Sequence, residues 1–127
     1  MKKLSIVSAA LVCTLGLASF NTIAAEDDLK TVAAIYENQA SLAGQTVRAQ
    51  GKVVKVLNGI MKRNFIHVQD GTGDAKNDTN DLVVTSKQSA SVGDQVTVSG
   101  VVVLNRDFGR GYLFPLLIEE ASVTVNK

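Results

Sequence analysis

The chain offers few of the side chains on which enzyme sites are usually built. His67 is the only histidine in 127 residues, so neither a histidine metal cluster nor a serine triad using a second histidine can be assembled. As a lone group it could act as a base, a haem ligand or a pH-sensitive contact, but a histidine bonded across the face of a strand is the simpler expectation. The single cysteine, Cys13, lies in an apolar N-terminal run. If that run is removed, disulfides and thiolate metal sites are excluded from the remainder. Oxygen ligands are more numerous, with Asp70, Asp74, Asn77, Asp78, Asn80 and Asp81 crowding one polar stretch. Their spacing does not fit a calcium loop: counted from Asp74, Lys76 stands where a ligand is required, and the central glycine and closing glutamate are missing. A solvated loop with no metal and no cofactor is expected there.

Cations interleaved with aromatics make the second chemical pattern. Lys62 and Arg63 follow Ile60-Met61, and Arg106, Phe108, Arg110 and Tyr112 share a later segment. Aromatic rings stack on bases and cations meet phosphates, which together equip a groove for single strands, at about 1–3 kcal/mol per stacked base. A catalytic version would be a metal-dependent nuclease, with Asp70, Asp74 and Asp81 converging on a metal and Arg106 or Arg110 on the phosphate. No motif supports that convergence, so a non-catalytic binding module is the expectation.

Strands must position these groups. Ile66 and Val68 alternate with Phe65, His67 and Gln69, so a strand here sends the aliphatic pair to a core and the other three to the opposite face. Asp70-Gly71-Thr72-Gly73 then reads as a turn, with a self-bonding aspartate and two glycines free to take positive φ. Before it, Val47, Ala49, Gly51 and Val53 fall on one face of a long first strand, whose phase slips beside Lys55 as at a bulge or bend. Asn58-Gly59 predicts the turn into the second strand. Leu82 to Thr85 reads as a third strand. Gln95 to Leu104 alternates strictly as a fourth, and 112–118 with 121–125 gives an interrupted fifth, where Pro115 needs an edge or a bulge. Upstream, Asp27 or Asp28 is placed to cap a packing helix carrying Leu29, Val32, Ala33 and Tyr36, stopped at Gly44. A short helix followed by five strands, the first long and bent, predicts an all-β, five-stranded Greek-key barrel.

The N-terminus reads as a secretory leader. Lys2 and Lys3 precede an apolar run from Leu4 to Phe20 that is too short to span a bilayer, with cleavage expected near Ala24 or Ala25. The organisation expected is thus a leader over 1–25, helix and lead-in over 26–44, and barrel over 45–127, in the periplasm or outside the cell, with no membrane span after cleavage. The formal charge of the whole chain is +1. It becomes about −1 without the two leader lysines, so no global field draws the protein to nucleic acid.

The region from Val47 to Val125 resembles the OB-fold domains that serve as anticodon-binding modules of class II aminoacyl-tRNA synthetases. The likeness rests on Gly51-Lys52-Val53, Asp70-Gly71-Thr72-Gly73, Val92-Gly93-Asp94-Gln95-Val96 and Val98-Ser99-Gly100. With the leader, the chain is also similar to periplasmic bacterial OB-fold proteins described on fold alone as nucleotide- or DNA-binding. A haem-carrying periplasmic OB-fold family is less similar, since its C-terminal histidine and tyrosine motif is absent. The resemblance implies a face: the position of Phe65 is the one that stacks on a base, and the barrel binds across its second and third strands, between the loops after the first and fourth. That assigns Phe65, His67, Gln69, Thr85, Lys62, Arg63, Arg106, Phe108, Arg110 and Tyr112 to ligand binding. The ligand implied is a single-stranded nucleic acid, a nucleotide or another flat anion. A protein partner of the envelope, held in the same groove or at a sheet edge, is the alternative.

Overall fold

The computed structural model describes residues 28–126; the expected leader, its cleavage site and Asp27 lie outside them. Two short helices, α1 (Val32–Glu37) and α2 (Gln39–Leu42), precede five strands. These are β1 (Thr46–Ile60), β2 (Arg63–Gln69), β3 (Leu82–Ser86), β4 (Gln95–Asp107) and β5 (Leu113–Val125). They close into a barrel in the order β1-β2-β3-β5-β4, the expected OB-like architecture. No helix among the described residues is long and apolar enough to cross a membrane.

β1 works as the expected long, bent strand. Thr46 to Lys52 pair with β4, Lys52 to Ile60 with β2, and the register shifts between Val53 and Lys55. Gly51 sits at the change of partner because no side chain fits there. A Cβ on it would lie 2.6 Å from Val68 Cγ1 and 2.7 Å from the Gln69 carbonyl oxygen. The alternation of β1 and β4 holds, with Val47, Ala49, Val53, Val96, Val98 and Val102 all buried inside.

α1 closes one end of the barrel, placing fully buried Val32 and Ile35 in the same core. Its cap differs from the expectation. Thr31 Oγ1 accepts from the Ala34 amide at 3.0 Å, while Leu29 leaves the helix to bridge Arg48. The Asp-Gly-Thr-Gly turn supplies the remaining acceptors: Asp70 Oδ2 takes the Val32 amide and Thr72 Oγ1 the Ala33 amide, both at 2.9 Å. Gly71 and Gly73 both take φ of +87°. The turn therefore ties strand to helix as well as reversing the chain.

Two further features depart from the sequence reading. Asn58-Gly59 does not make the β1–β2 turn; Ile60 pairs with Arg63, so Met61 and Lys62 are its central residues. The Asn-Gly pair forms the irregularity between Leu57 and Ile60 instead, because Asn64 Oδ1 takes the Gly59 amide at 3.0 Å. β5 is continuous through the expected interruption, which is a kink at Glu120, φ +51°, beside a register shift at Ser99 and Val101. Pro115 falls between the pairs Leu104–Leu116 and Arg106–Phe114, opposite Asn105 with φ +54°. The register is the same on both sides, and the pair missing between them is the one that would need the proline amide.

Candidate functional site

The outer face of β2 and β3 carries Phe65, His67, Val83 and Thr85, since Phe65 pairs with Thr85 and His67 with Val83. The sequence placed Phe65 on this face correctly, but the ring is not free. It is 3% exposed and packs with Val83 and Leu117 beneath Phe108 and Phe114. Phe114 stacks on it at 5.6 Å between centroids, and Phe108 meets it edge-on at 5.6 Å. The β4–β5 hairpin, redirected at Asn105, thus covers the position that the resemblance assigned to a base. Three aromatic rings gain more from burial and edge contacts with each other than from facing water.

Arg63 and Arg106 sit on this cluster. Their guanidinium carbons lie 5.1 Å and 4.5 Å from the centre of the Phe108 ring. Both converge on one carboxylate: Arg63 Nη1 donates to Glu119 Oε1 at 3.0 Å, and Arg106 Nε lies 3.3 Å from Oε2. The second contact is an ion pair without hydrogen-bond alignment, and the buried Nε has no other partner. Two cations sharing one anion leave a net positive charge at a partly exposed site.

Farther along β2, His67 Nδ1 is 2.6 Å from Asp81 Oδ2, and Gln69 Nε2 donates to Asp81 Oδ1 at 3.1 Å. A carboxylate oxygen accepts, so this contact is a hydrogen bond when the imidazole proton is on Nδ1. The Tyr36 hydroxyl donates to the Asp81 carbonyl at 2.6 Å. Burial, with the negative charges of Asp81 and Asp78, pushes its pKa up to about 12. His67 and Gln69 are thus both hydrogen-bonded to Asp81 and remain partly exposed.

A groove of about 470 Å³ opens beside the arginine pair, within the size range of small-molecule sites. Lys62 and Arg63 from the β1–β2 tip, Thr85 to Gln88 from the end of β3, and Glu119 to Ala121 from β5 line it. Lys62, Arg63 and Thr85 were expected at the site. Lys87 and Gln88 were not, because they follow a strand end in a stretch that reads only as a connection. The acidic pair at Glu119 and Glu120, where β5 loses its alternation, was the one sequence signal that could have pointed here. Arg110 and Tyr112 are exposed at the β4–β5 tip and do not line the groove. Among the described residues no group of three or more histidine, cysteine, aspartate or glutamate side chains is arranged to hold a metal.

No family model matches the chain, and no curated protein matches it. Solved structures to which the chain is similar include the following two. A candidate aspartyl-tRNA synthetase from Leishmania major superposes with a TM-score of 0.55 at 11% identity over 76% of this chain. The chain spans 20% of the length of that synthetase. An OBody bound to hen egg-white lysozyme gives a TM-score of 0.49 at 18% identity, over 67% of this chain and 84% of that one. At 11% identity the likeness to the synthetase shows an OB-like fold and nothing finer.

Proposed function

We propose that the protein is a non-catalytic OB-fold binding module, and that its ligand is a short single-stranded nucleic acid, a nucleotide or a similar flat anion held in the groove between the β1–β2 tip and β5. The observation that carries this reading is the charge arrangement. Lys62, Arg63 and Lys87 line the groove against Glu119 and Glu120; Glu119 is committed to two arginines, and among the described residues Lys62 and Lys87 form no ion pair, so the groove wall has cations to offer a phosphate. With Phe65 covered, Phe108 is the aromatic beside Arg63 that remains only partly buried.

The absence of catalysis is supported by what the carboxylates do. Asp70 holds α1, Asp74 caps the short 3-10 turn Ala75–Asn77, and Asp81 holds His67. The reading also takes the protein to act outside the cytoplasm, on the strength of residues 1–25; the N-terminal sequence of the purified mature protein tests that.

Fluorescence anisotropy with short labelled oligonucleotides tests the function. Contacts from Lys62, Arg63 and Lys87 predict a slope of log affinity on log salt near −2, from about −0.7 per phosphate contact. Lys62→Ala with Lys87→Ala should weaken binding at low salt and flatten the slope. No binding at low salt, or a slope unchanged in the double variant, would overturn the assignment and direct the search to a protein partner.

A further inference from the structure

The β1–β2 turn is built from residues poorly suited to it. Met61 and Lys62 take φ of +52° and +65°, left-handed values that suit Asn and Gly in two-residue hairpins and strain other side chains. Strain of this kind gathers at functional positions. Here its effect is to fix Met61 and Lys62 at the extremity of the hairpin. Met61 is 40% exposed, and Leu57 and Ile60 beside it are 43% and 36% exposed. The β4–β5 tip repeats the pattern, with Tyr112 and Leu113 more than half exposed next to Arg110, also in the left-handed region at +55°.

Charge accompanies the apolar side chains at both tips. Between Lys52 and Gln69 the chain has lysines and an arginine but no acidic residue. At the other tip Arg110 is accompanied by Asp107, whose carboxylate accepts from the Gly109 amide at 2.8 Å and keeps its charge. The two hairpins are tied together beside their tips, where Arg63 and Arg106 both lie over the Phe108 ring and both meet Glu119.

We propose that the two hairpin tips form a docking surface for an anionic phospholipid bilayer, with Met61, Ile60 and Leu113 entering the boundary between headgroups and acyl chains and Lys62 and Arg110 meeting lipid phosphates. Exposed aliphatics flanked by cations are the chemistry of a peripheral membrane contact. A nucleic acid would use the cations and leave the aliphatics in water. The surface meets the groove only at Lys62, and Met61, Ile60, Leu113 and Arg110 lie outside it.

Cosedimentation of the protein with phosphatidylcholine vesicles, and with equimolar phosphatidylcholine and phosphatidylglycerol vesicles, provides the test. Binding to the anionic vesicles should exceed binding to the neutral ones by at least about tenfold at low salt and weaken as salt rises. Met61→Asn combined with Leu113→Thr should reduce it about tenfold. Asn adopts the left-handed turn more readily than Met, and Thr favours strands, so this variant keeps the wild-type melting temperature or exceeds it. Equal binding to the two vesicle types, no binding to either, or unchanged binding by the double variant would overturn the proposal. Oligonucleotide binding by the same variant should be unchanged. Failure of the groove reading would show separately, as a wild type that binds vesicles but no oligonucleotide.

Discussion

Asp70→Ala tests whether the Asp-Gly-Thr-Gly turn holds the barrel's helix in place. Asp70 accepts from the Val32 amide and the Thr72 amide, both at 2.9 Å, and from the Thr72 hydroxyl at 2.5 Å. Val32 is fully buried, so its amide, once released, has no water to turn to. An orphaned buried donor costs about 1–3 kcal/mol, and loss of the turn's own bonds adds roughly another 1 kcal/mol. The expected loss is therefore about 2–4 kcal/mol, which for a domain of this size lowers Tm by roughly 10–20 °C. Urea and thermal unfolding followed by circular dichroism measure it.

The pH dependence provides an independent check on the same residue. Burial raises the Asp70 pKa, but hydrogen bonds from the Thr72 hydroxyl and the Val32 and Thr72 amides outweigh it, so the carboxyl titrates below its ordinary value of 3.8. A depressed folded pKa contributes stability in full above the unfolded value and loses it as pH falls through the folded one. The stability gap between the wild type and Asp70→Asn should thus be flat above about pH 5 and shrink below about pH 4. A loss under about 0.5 kcal/mol for Asp70→Ala would refute the reasoning, since a buried donor must cost more than that. A gap that stays constant down to low pH would do the same.

Phe65→Ala should lower stability by about 3–5 kcal/mol, because it leaves a cavity under Phe108 and Phe114; an unchanged urea midpoint would mean that the three rings are not packed as described. Gly51→Ala should cost roughly 1–3 kcal/mol, since its methyl would press on Val68 and on the Gln69 backbone. A neutral thermal melt would contradict that crowding. Tyr36→Phe should cost about 1 kcal/mol for the bond to the Asp81 carbonyl. It should also remove a loss of stability with rising pH: an unfolded tyrosine ionises near 10.0 and the folded one only at about 12, so the wild type weakens as pH passes above the lower value. Unfolding curves from pH 8 to 11 with equal slopes for the two proteins would exclude it.

Period-two alternation was enough to place β1 and β4 and to assign Ile66 and Val68 inward, because those residues meet only the barrel interior. It could not show that the outer face of β2 is also covered. Phe65 is buried by rings more than forty positions away in sequence, brought over it by a left-handed Asn105 that leaves no periodic trace. The hairpin turn was misplaced for a related reason. Asn58-Gly59 is the stronger local signal, but pairing of Leu57 with Phe65 and Ile60 with Arg63 sets the register and pushes the turn onto Met61 and Lys62. Of the residues that line the groove, Lys62, Arg63 and Thr85 were among those singled out from strand order and the resemblance. Lys87, Gln88 and Glu119 were not, since they come together only where β3 meets β5.

That meeting is the barrel's seam. β3 and β5 run parallel and share one ladder pair, Val84 with Ile118. Beyond it the strands are joined by side chains: Ser86 Oγ donates to the Ala121 carbonyl at 2.6 Å, and the Val123 amide donates to Gln88 Oε1 at 2.9 Å. A junction with so few backbone bonds is where hydrogen exchange should first detect opening. Ser86, Gln88 and Ala121 also line the groove, so a molecule bound there lies across the parting edges. Its binding free energy then also works against the opening of the barrel, and slower exchange at Val123 would report occupancy without any label on the ligand.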